Sequence, residues 1–139
     1  VKKPLSESLE DYLEVIWHIQ CEKRVARMRD IATKLGVSKS STTSSVKKLV
    51  RRGLVQHESY GYVILTVKGK RTAKMIVERH AALEDFLHRI LKVPAGRATE
   101  EACRLEHALS PATITRLRTL TKRLLKNESS KRKGSGAKQ

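Results

Sequence analysis

At 139 residues the chain has room for one domain or two small ones, and with 39% hydrophobic and 4% aromatic residues any core must be mainly aliphatic. Lys and Arg outnumber Asp and Glu 30 to 14, a formal net charge of +16, which favours a polyanionic partner: nucleic acid or an anionic membrane surface. No run of about 18 apolar residues exists to span a bilayer, the charged N-terminal stretch lacks a signal-peptide core, and Cys21 and Cys103 are too few for a disulfide framework, so a cytoplasmic location is expected.

The charge is unevenly spread. Lys and Arg fill residues 22–79, while acids gather at Glu7–Glu14 and Glu100–Glu106. In chain order, Ser6 to about Gln20 reads as an amphipathic helix, with Leu9, Tyr12, Leu13, Ile16 and Trp17 recurring at three- and four-residue steps. Glu7, Asp11, Glu14 and His18 share another face, and Ser6 or Ser8 can cap the start. A second helix runs from about Met28 to Leu35 and stops at Gly36. Ser38 caps a third, Lys39 to about Arg52, held by Val46, Leu49 and Val50 and ended by Gly53. Leu54-Val55 and Tyr62–Leu65 read as two short strands with a turn at Tyr60-Gly61. A long helix follows from Val67 to about Leu91, broken at Val93–Gly96. Further helices are expected at about Glu100–Ala108 and Ser110–Leu125, the second opened by Ser110-Pro111. Residues 128–139 are polar and rich in Gly, Ser and Lys, the composition of a disordered basic tail.

Helix, Gly-containing turn, second helix and hairpin is the order of a winged helix-turn-helix. The fold class expected is therefore mainly α: a winged helix-turn-helix with a small two-stranded wing over residues 1–70, then a helical dimerisation domain over 71–127. The third helix opens with short polar side chains that can approach base edges and phosphates in a major groove. Lys47, Lys48, Arg51 and Arg52 can reach phosphates, which supply affinity more than specificity. The candidate DNA-contacting residues are Arg27, Ser38, Lys39, Ser40, Ser41, Thr43, Ser44, Lys47, Lys48 and Tyr60. A Ser/Thr-rich helix alone is more often a solvated surface; here the turn, the wing and the basic charge agree.

Cys103, Glu106 and His107 stand at i, i+3 and i+4, one face of a helix, and all three ligate transition metals. Asp11 and Glu14 form a carboxylate pair at i and i+3, and His80 lies on the long helix with Glu84 one turn on. Folding can gather these into a site of mixed sulfur, nitrogen and oxygen donors. By spacing alone, a surface ion pair and an inert core cysteine remain open alternatives.

The stretches SLEDYLEVIW, DIATKLGVSKSSTTSSVKKL, GYVILTVKGK, ERHAALEDFL and EACRLEHALS, which span about residues 5–125, resemble the diphtheria toxin repressor family of metalloregulators. The likeness is greatest to the short two-domain manganese transport regulators. It implies a homodimer that binds a palindromic DNA operator when metal is bound, usually as a repressor. It also implies metal ligands at Asp11, Glu14, His80, Glu106 and His107. Cys103 departs from the manganese branch, which has Glu there, and matches the iron-responsive branch, whose motif also reads ACRxEH. That branch has Met at the position of Asp11. Glu84 fits one ligand of its second metal site, but Thr99 stands where the family has His. The likeness to the short members implies no SH3-like third domain of the kind that the long members carry.

Cys103 thus completes a hybrid ligand set, with hard carboxylates suiting Mn(II) and a soft thiolate suiting Fe(II), Co(II) or Zn(II). Ligand count places Mn(II) first and Fe(II) next as cofactor, with one ion per subunit, since the Glu that could bridge two manganese ions is missing. A metal joining residues of the two domains would fix one relative to the other and hold two recognition helices at the spacing of successive major grooves. The expected function is a metal-dependent regulator that controls metal homeostasis; a metal-independent winged-helix regulator is the alternative. No membrane and no small organic substrate is expected as partner, and the sequence carries no nucleophile motif or phosphate loop of an enzyme.

Overall fold

Ser6 opens the first helix in the role its position predicts: its backbone is extended and its Oγ accepts from the Leu9 amide at 3.3 Å. Glu7 and Glu10 then place negative charge at the positive end of the helix dipole. The computed structural model describes residues 4–135. The chain divides between Val77 and Glu78 into two compact units, where the sequence suggested a boundary after residue 70. Ala73 and Ile76 explain the later position, since both are buried in the core of the first unit.

The first unit contains α1 (Glu7–Lys23), β1 (Ala26–Arg27), α2 (Met28–Leu35), α3 (Lys39–Arg51), β2 (Val55–His57), β3 (Tyr62–Leu65) and the start of α4 (Val67–Asp85). Its core joins Leu9, Tyr12, Leu13, Ile16 and Ile19 of α1 to Ile31, Val46, Leu49, Val55, Val63 and Leu65. The α2–α3 turn depends on Gly36, whose φ of 65° and ψ of 35° lie in the left-handed region that favours glycine. There the Gly36 amide donates to Thr33 O and the Val37 amide to Ala32 O, closing off carbonyls that the helix end would otherwise strand. Ser38 begins α3 by accepting from the Ser41 amide at 3.1 Å. Val46 and Leu49 anchor α3 inward, but Val50 is 40% exposed, so it is not the core contact that its spacing suggested. Thr42 takes part in that inner face instead; it is fully buried, and its hydroxyl is satisfied by donating to Ser38 O at 3.0 Å.

The wing has a third strand beyond the two expected. β3 lies in the middle of a sheet ordered β1-β3-β2, antiparallel to both neighbours, with Val63 opposite Ala26 on one side and His57 on the other. A two-residue strand has no periodicity to read, which is why β1 escapes a sequence pattern. The α3–β2 corner also anchors α4. The Leu54 carbonyl accepts from the Thr66 amide at 3.0 Å, Thr66 Oγ1 donates to Gly53 O at 2.6 Å, and the Gly69 amide donates to Thr66 Oγ1 at 3.0 Å. Gly69 is required there because a Cβ would fall on the Leu54 carbonyl oxygen.

The second unit contains the end of α4, a π-helical turn (Phe86–Ile90), α5 (Ala95–Leu105) and α6 (Pro111–Ser135). Its core is small: Ala82, Leu83, Leu87, Ala98, Ala102 and Ile114, with Val93, Leu109 and Leu117 against it. The long helix expected to Leu91 therefore changes its winding at Phe86; the Leu91 amide reaches back five residues to Phe86 O at 3.1 Å. Ser110 caps α6 by accepting from the Thr113 amide at 3.2 Å. α6 continues through residues 128–135, which composition assigned to a disordered tail. Once a helix is nucleated, each further residue adds at little cost, and no proline interrupts this stretch; Ser129 and Ser130 also bond to carbonyls one turn back. The rest of the expected tail, 136–139, lies outside the described residues.

Candidate functional site

Two surfaces carry the residues singled out by the sequence, one in each unit. In the first, Thr42, Val46 and Leu49 turn α3 so that Ser40, Ser44, Lys47 and Arg51 fall on the opposite face. All four are exposed. The Ser44 hydroxyl and the Lys47, Lys48 and Arg51 side chains have no partner among the described residues, so they stand ready for an external acceptor. The other hydroxyls are partly committed. Ser38 Oγ is within 3.1 Å of Ser40 Oγ and donates to Ser41 Oγ at 2.9 Å, and Thr43 Oγ1 donates to Lys39 O at 2.9 Å. Ser38 is thus first a helix cap, while Thr43 keeps lone pairs free to accept. Lys39 is exposed at the start of the helix. On the sheet, the Arg27 guanidinium lies 5.4 Å from the centre of the Tyr62 ring and reaches the Tyr62 hydroxyl at 3.4 Å. Tyr60, at the turn of the wing, is 89% exposed.

Asp11 and Glu14 stand one turn apart on α1, half-buried, and Glu14 Oε1 lies 3.9 Å from His18 Nε2. Asp11 borders an open cleft of about 600 Å³ shared with Ser8, Tyr12, Val37 and Ser41.

In the second unit, the spacing read from the sequence becomes a cluster. His80 projects from α4, Cys103 from α5, Glu106 closes α5, and His107 follows it. His80 Nδ1 lies 2.9 Å from Glu106 Oε2 and 3.7 Å from Cys103 Sγ. His80 Nε2 lies 3.1 Å from Glu84 Oε2, and His107 Nε2 lies 3.2 Å from Glu106 Oε1. Glu106 is fully buried, yet its Oε1 has no hydrogen-bond partner of acceptable geometry. Leaving a buried acceptor unmet costs about 1–3 kcal/mol, and more for a charged one, so such an atom calls for an explanation. A thiol, two imidazoles and a buried carboxylate are also the donor types that transition metals prefer. In donor type the residues present therefore fit a divalent transition ion. Glu84 is claimed differently: Thr99 Oγ1 donates to its Oε1 at 2.9 Å. Sequence spacing marked Glu84 and Thr99 but gave no sign of that bond, which joins residues on two helices.

Comparisons with known proteins bear on both surfaces. The family model described as the iron dependent repressor, N-terminal DNA binding domain, matches residues 4–63, and the one described as the iron dependent repressor, metal binding and dimerisation domain, matches residues 66–132. The chain is 40% identical over 115 residues to an uncharacterised HTH-type transcriptional regulator of Methanocaldococcus jannaschii, covering 82% of this chain and 92% of that protein. It is 41% identical over 110 residues to the HTH-type transcriptional regulator MntR of Bacillus subtilis, covering 79% and 77%. Among solved structures, a manganese-dependent transcriptional repressor in complex with manganese aligns with a TM-score of 0.75 at 37% identity, covering 81% of this chain and 52% of that one. The T. acidophilum IdeR aligns with a TM-score of 0.71 at 28% identity, covering 84% and 54%. The chain thus spans about half the length of these solved structures.

Proposed function

Because this chain belongs to the iron-dependent repressor family, we propose that it is a metal-dependent transcriptional repressor that binds operator DNA as a homodimer when Mn(II) or Fe(II) is held. The observation that carries the metal half of this reading is Glu106, buried between two imidazoles with one oxygen unmet. His80, Cys103, Glu106 and His107 are the ligands supplied by the second unit, and the family resemblance adds Asp11 and Glu14. A divalent ion held by these residues would supply positive charge beside this oxygen. The chain's own contribution is a donor set of mixed hardness. Carboxylates favour Mn(II), while the Cys103 thiol must lose its proton to ligate and favours softer ions.

The DNA half is carried by the exposed polar face of α3. Ser40, Ser41, Thr43 and Ser44 are short enough for close approach to base edges, while Lys39, Lys47 and Lys48 neutralise phosphates. Tyr60 and Arg27 extend the contact from the wing sheet, and Ser38 fixes the start of the reading helix. Metal and operator each bias the same protein, so operator DNA must tighten metal binding by the factor by which metal tightens operator binding. No helix among the described residues is long and apolar enough to cross a membrane, and we assign a cytoplasmic, non-enzymatic role.

The test is anaerobic binding of operator or genomic DNA under chelator, Mn(II), Fe(II), Co(II) and Zn(II), repeated with the Lys47→Ala, Lys48→Ala double variant. Metal is expected to raise specific affinity, and the double variant to weaken all sequences and lower the salt slope by roughly two units. Chelator-insensitive operator binding would instead support a metal-independent regulator whose histidine–carboxylate pairs are ordinary ion pairs.

A further inference from the structure

α6 presents two stripes of opposite character. Ile114, Leu117, Thr121 and Leu124, at alternating three- and four-residue steps, form the face turned to the core, all of them buried or half-buried. The line 116, 119, 123, 126, 130, 133 follows the same steps on the far side and reads Arg, Thr, Arg, Lys, Ser, Lys, with every residue exposed. At about 1.5 Å per residue it runs roughly 25 Å. Lys122 lies beside it. The one acid of the helix, Glu128, continues the core-facing line instead, so the basic stripe carries no negative charge. Arg116, Lys122, Arg123, Lys126 and Lys133 make no side-chain hydrogen bond or ion pair among the described residues. The hydroxyls on the stripe are spent within the helix, Thr119 on Thr115 O and Ser130 on Lys126 O. Charge, rather than hydrogen bonding, is what this face offers.

We propose that the stripe from Arg116 to Lys133 is a second DNA-binding surface, which holds the phosphate backbone of double-stranded DNA without reading sequence and without needing metal. Phosphates line each strand at about 3.4 Å along the axis, so a duplex offers acceptors along the whole stripe. The alternative polyanion, an anionic membrane, fits poorly. A helix lying on a bilayer must bury an apolar face in it, and the residues that begin the apolar line of α6, Ile114 and Leu117, already pack in the core of their own unit. The surface adds affinity for any duplex, and so raises the time spent near a specific site. The proposal shares with the preceding section only the choice of DNA as partner; the metal response is a separate measurement.

The experiment compares the full chain with the variant Arg116→Gln, Arg123→Gln, Lys126→Gln, Lys133→Gln. The probe is a duplex of random sequence, titrated in chelator between about 50 and 200 mM salt. Removing four phosphate contacts is expected to make the slope of log affinity against log salt shallower by roughly three to four units and to weaken binding at least tenfold at the low-salt end. Arg116→Lys with Arg123→Lys, which keeps the charge, is expected to preserve the slope. If the quadruple variant does not fold by circular dichroism, the pairs Arg116/Arg123 and Lys126/Lys133 are neutralised separately, each expected to remove about two units. An unchanged slope in folded variants overturns the proposal. So does binding to phosphatidylserine vesicles that the variant loses while duplex binding is retained. A reduced slope together with operator binding that ignores metal would leave this surface standing and remove the metal-dependent reading.

Discussion

Replacing Glu106 with Gln separates a metal ligand from a structural ion pair, because the two roles predict different stability changes with and without metal. The substitution keeps the shape and removes the charge of a fully buried group. If Glu106 were holding the fold as an anion between two cations, breaking that arrangement would cost about 3–5 kcal/mol in chelator. The structure argues for far less. One oxygen already lacks a hydrogen-bond partner, and the neighbours at 2.9 and 3.2 Å are imidazoles, which can become neutral and leave no stranded charge. We expect Glu106→Gln to change stability in chelator by no more than about 1 kcal/mol. Metal at about 100 times its Kd should stabilise the unsubstituted chain by about 2.7 kcal/mol, or roughly 5–10 °C in midpoint for a chain of this size. That gain should vanish in the variant. Thermal melts with chelator and with Mn(II) or Fe(II) measure both quantities. An equal metal-induced shift in the two proteins would refute the assignment of Glu106 as a ligand.

Gly69→Ala should lower the urea midpoint by the equivalent of about 1–3 kcal/mol, because the added methyl meets the Leu54 backbone carbonyl, which cannot swing away; a stabilised variant would show that α4 is free to shift. Cys103→Glu should move activation of DNA binding toward Mn(II), measured as operator affinity against free metal, and an unchanged metal ranking would make Cys103 a bystander. The chain should sediment as a dimer at micromolar concentration, with Phe86→Asp shifting it toward monomer. Leu83 and Leu87 are spent in the unit's own core, whereas Phe86 and Ile90 remain half-exposed; a monomer with and without metal would count against dimerisation.

Local chemistry was the legible part of this sequence. Ser6, Gly36, Ser38 and Ser110 each act at a helix end where their side chain or backbone freedom is needed, and each does so in the structure. Of the Cys103, Glu106, His107 spacing only part is a matter of helix geometry: Cys103 and Glu106 are one turn apart at the end of α5, whereas His107 stands past the helix end, which spacing alone did not mark. What was not legible depends on partners distant in the chain. β1 exists because β3 offers it an edge, and Thr42 rather than Val50 is buried because of where α1 and α2 press on α3. The orphaned oxygen of Glu106 is likewise a property of surroundings, not of spacing. The 128–135 segment misled for another reason: polar composition argues against burial, but a helix extended from a packed stem needs none.

The knot of bonds among Gly53, Leu54, Thr66 and Gly69 bears on how this protein can be re-engineered. Exchanging only Lys39–Arg51 for the equivalent helix of another regulator would leave the Leu54 carbonyl and the Thr66 hydroxyl to match a corner built for a different exit angle. A shift of a few tenths of an ångström there would be passed straight into the first turn of α4. The interchangeable cassette is therefore Ser38–Gly69, which keeps the recognition helix, the β2–β3 hairpin and the corner together and asks the host only for β1 as an edge partner, with its seam placed inside α4, where helical geometry is the same in donor and host.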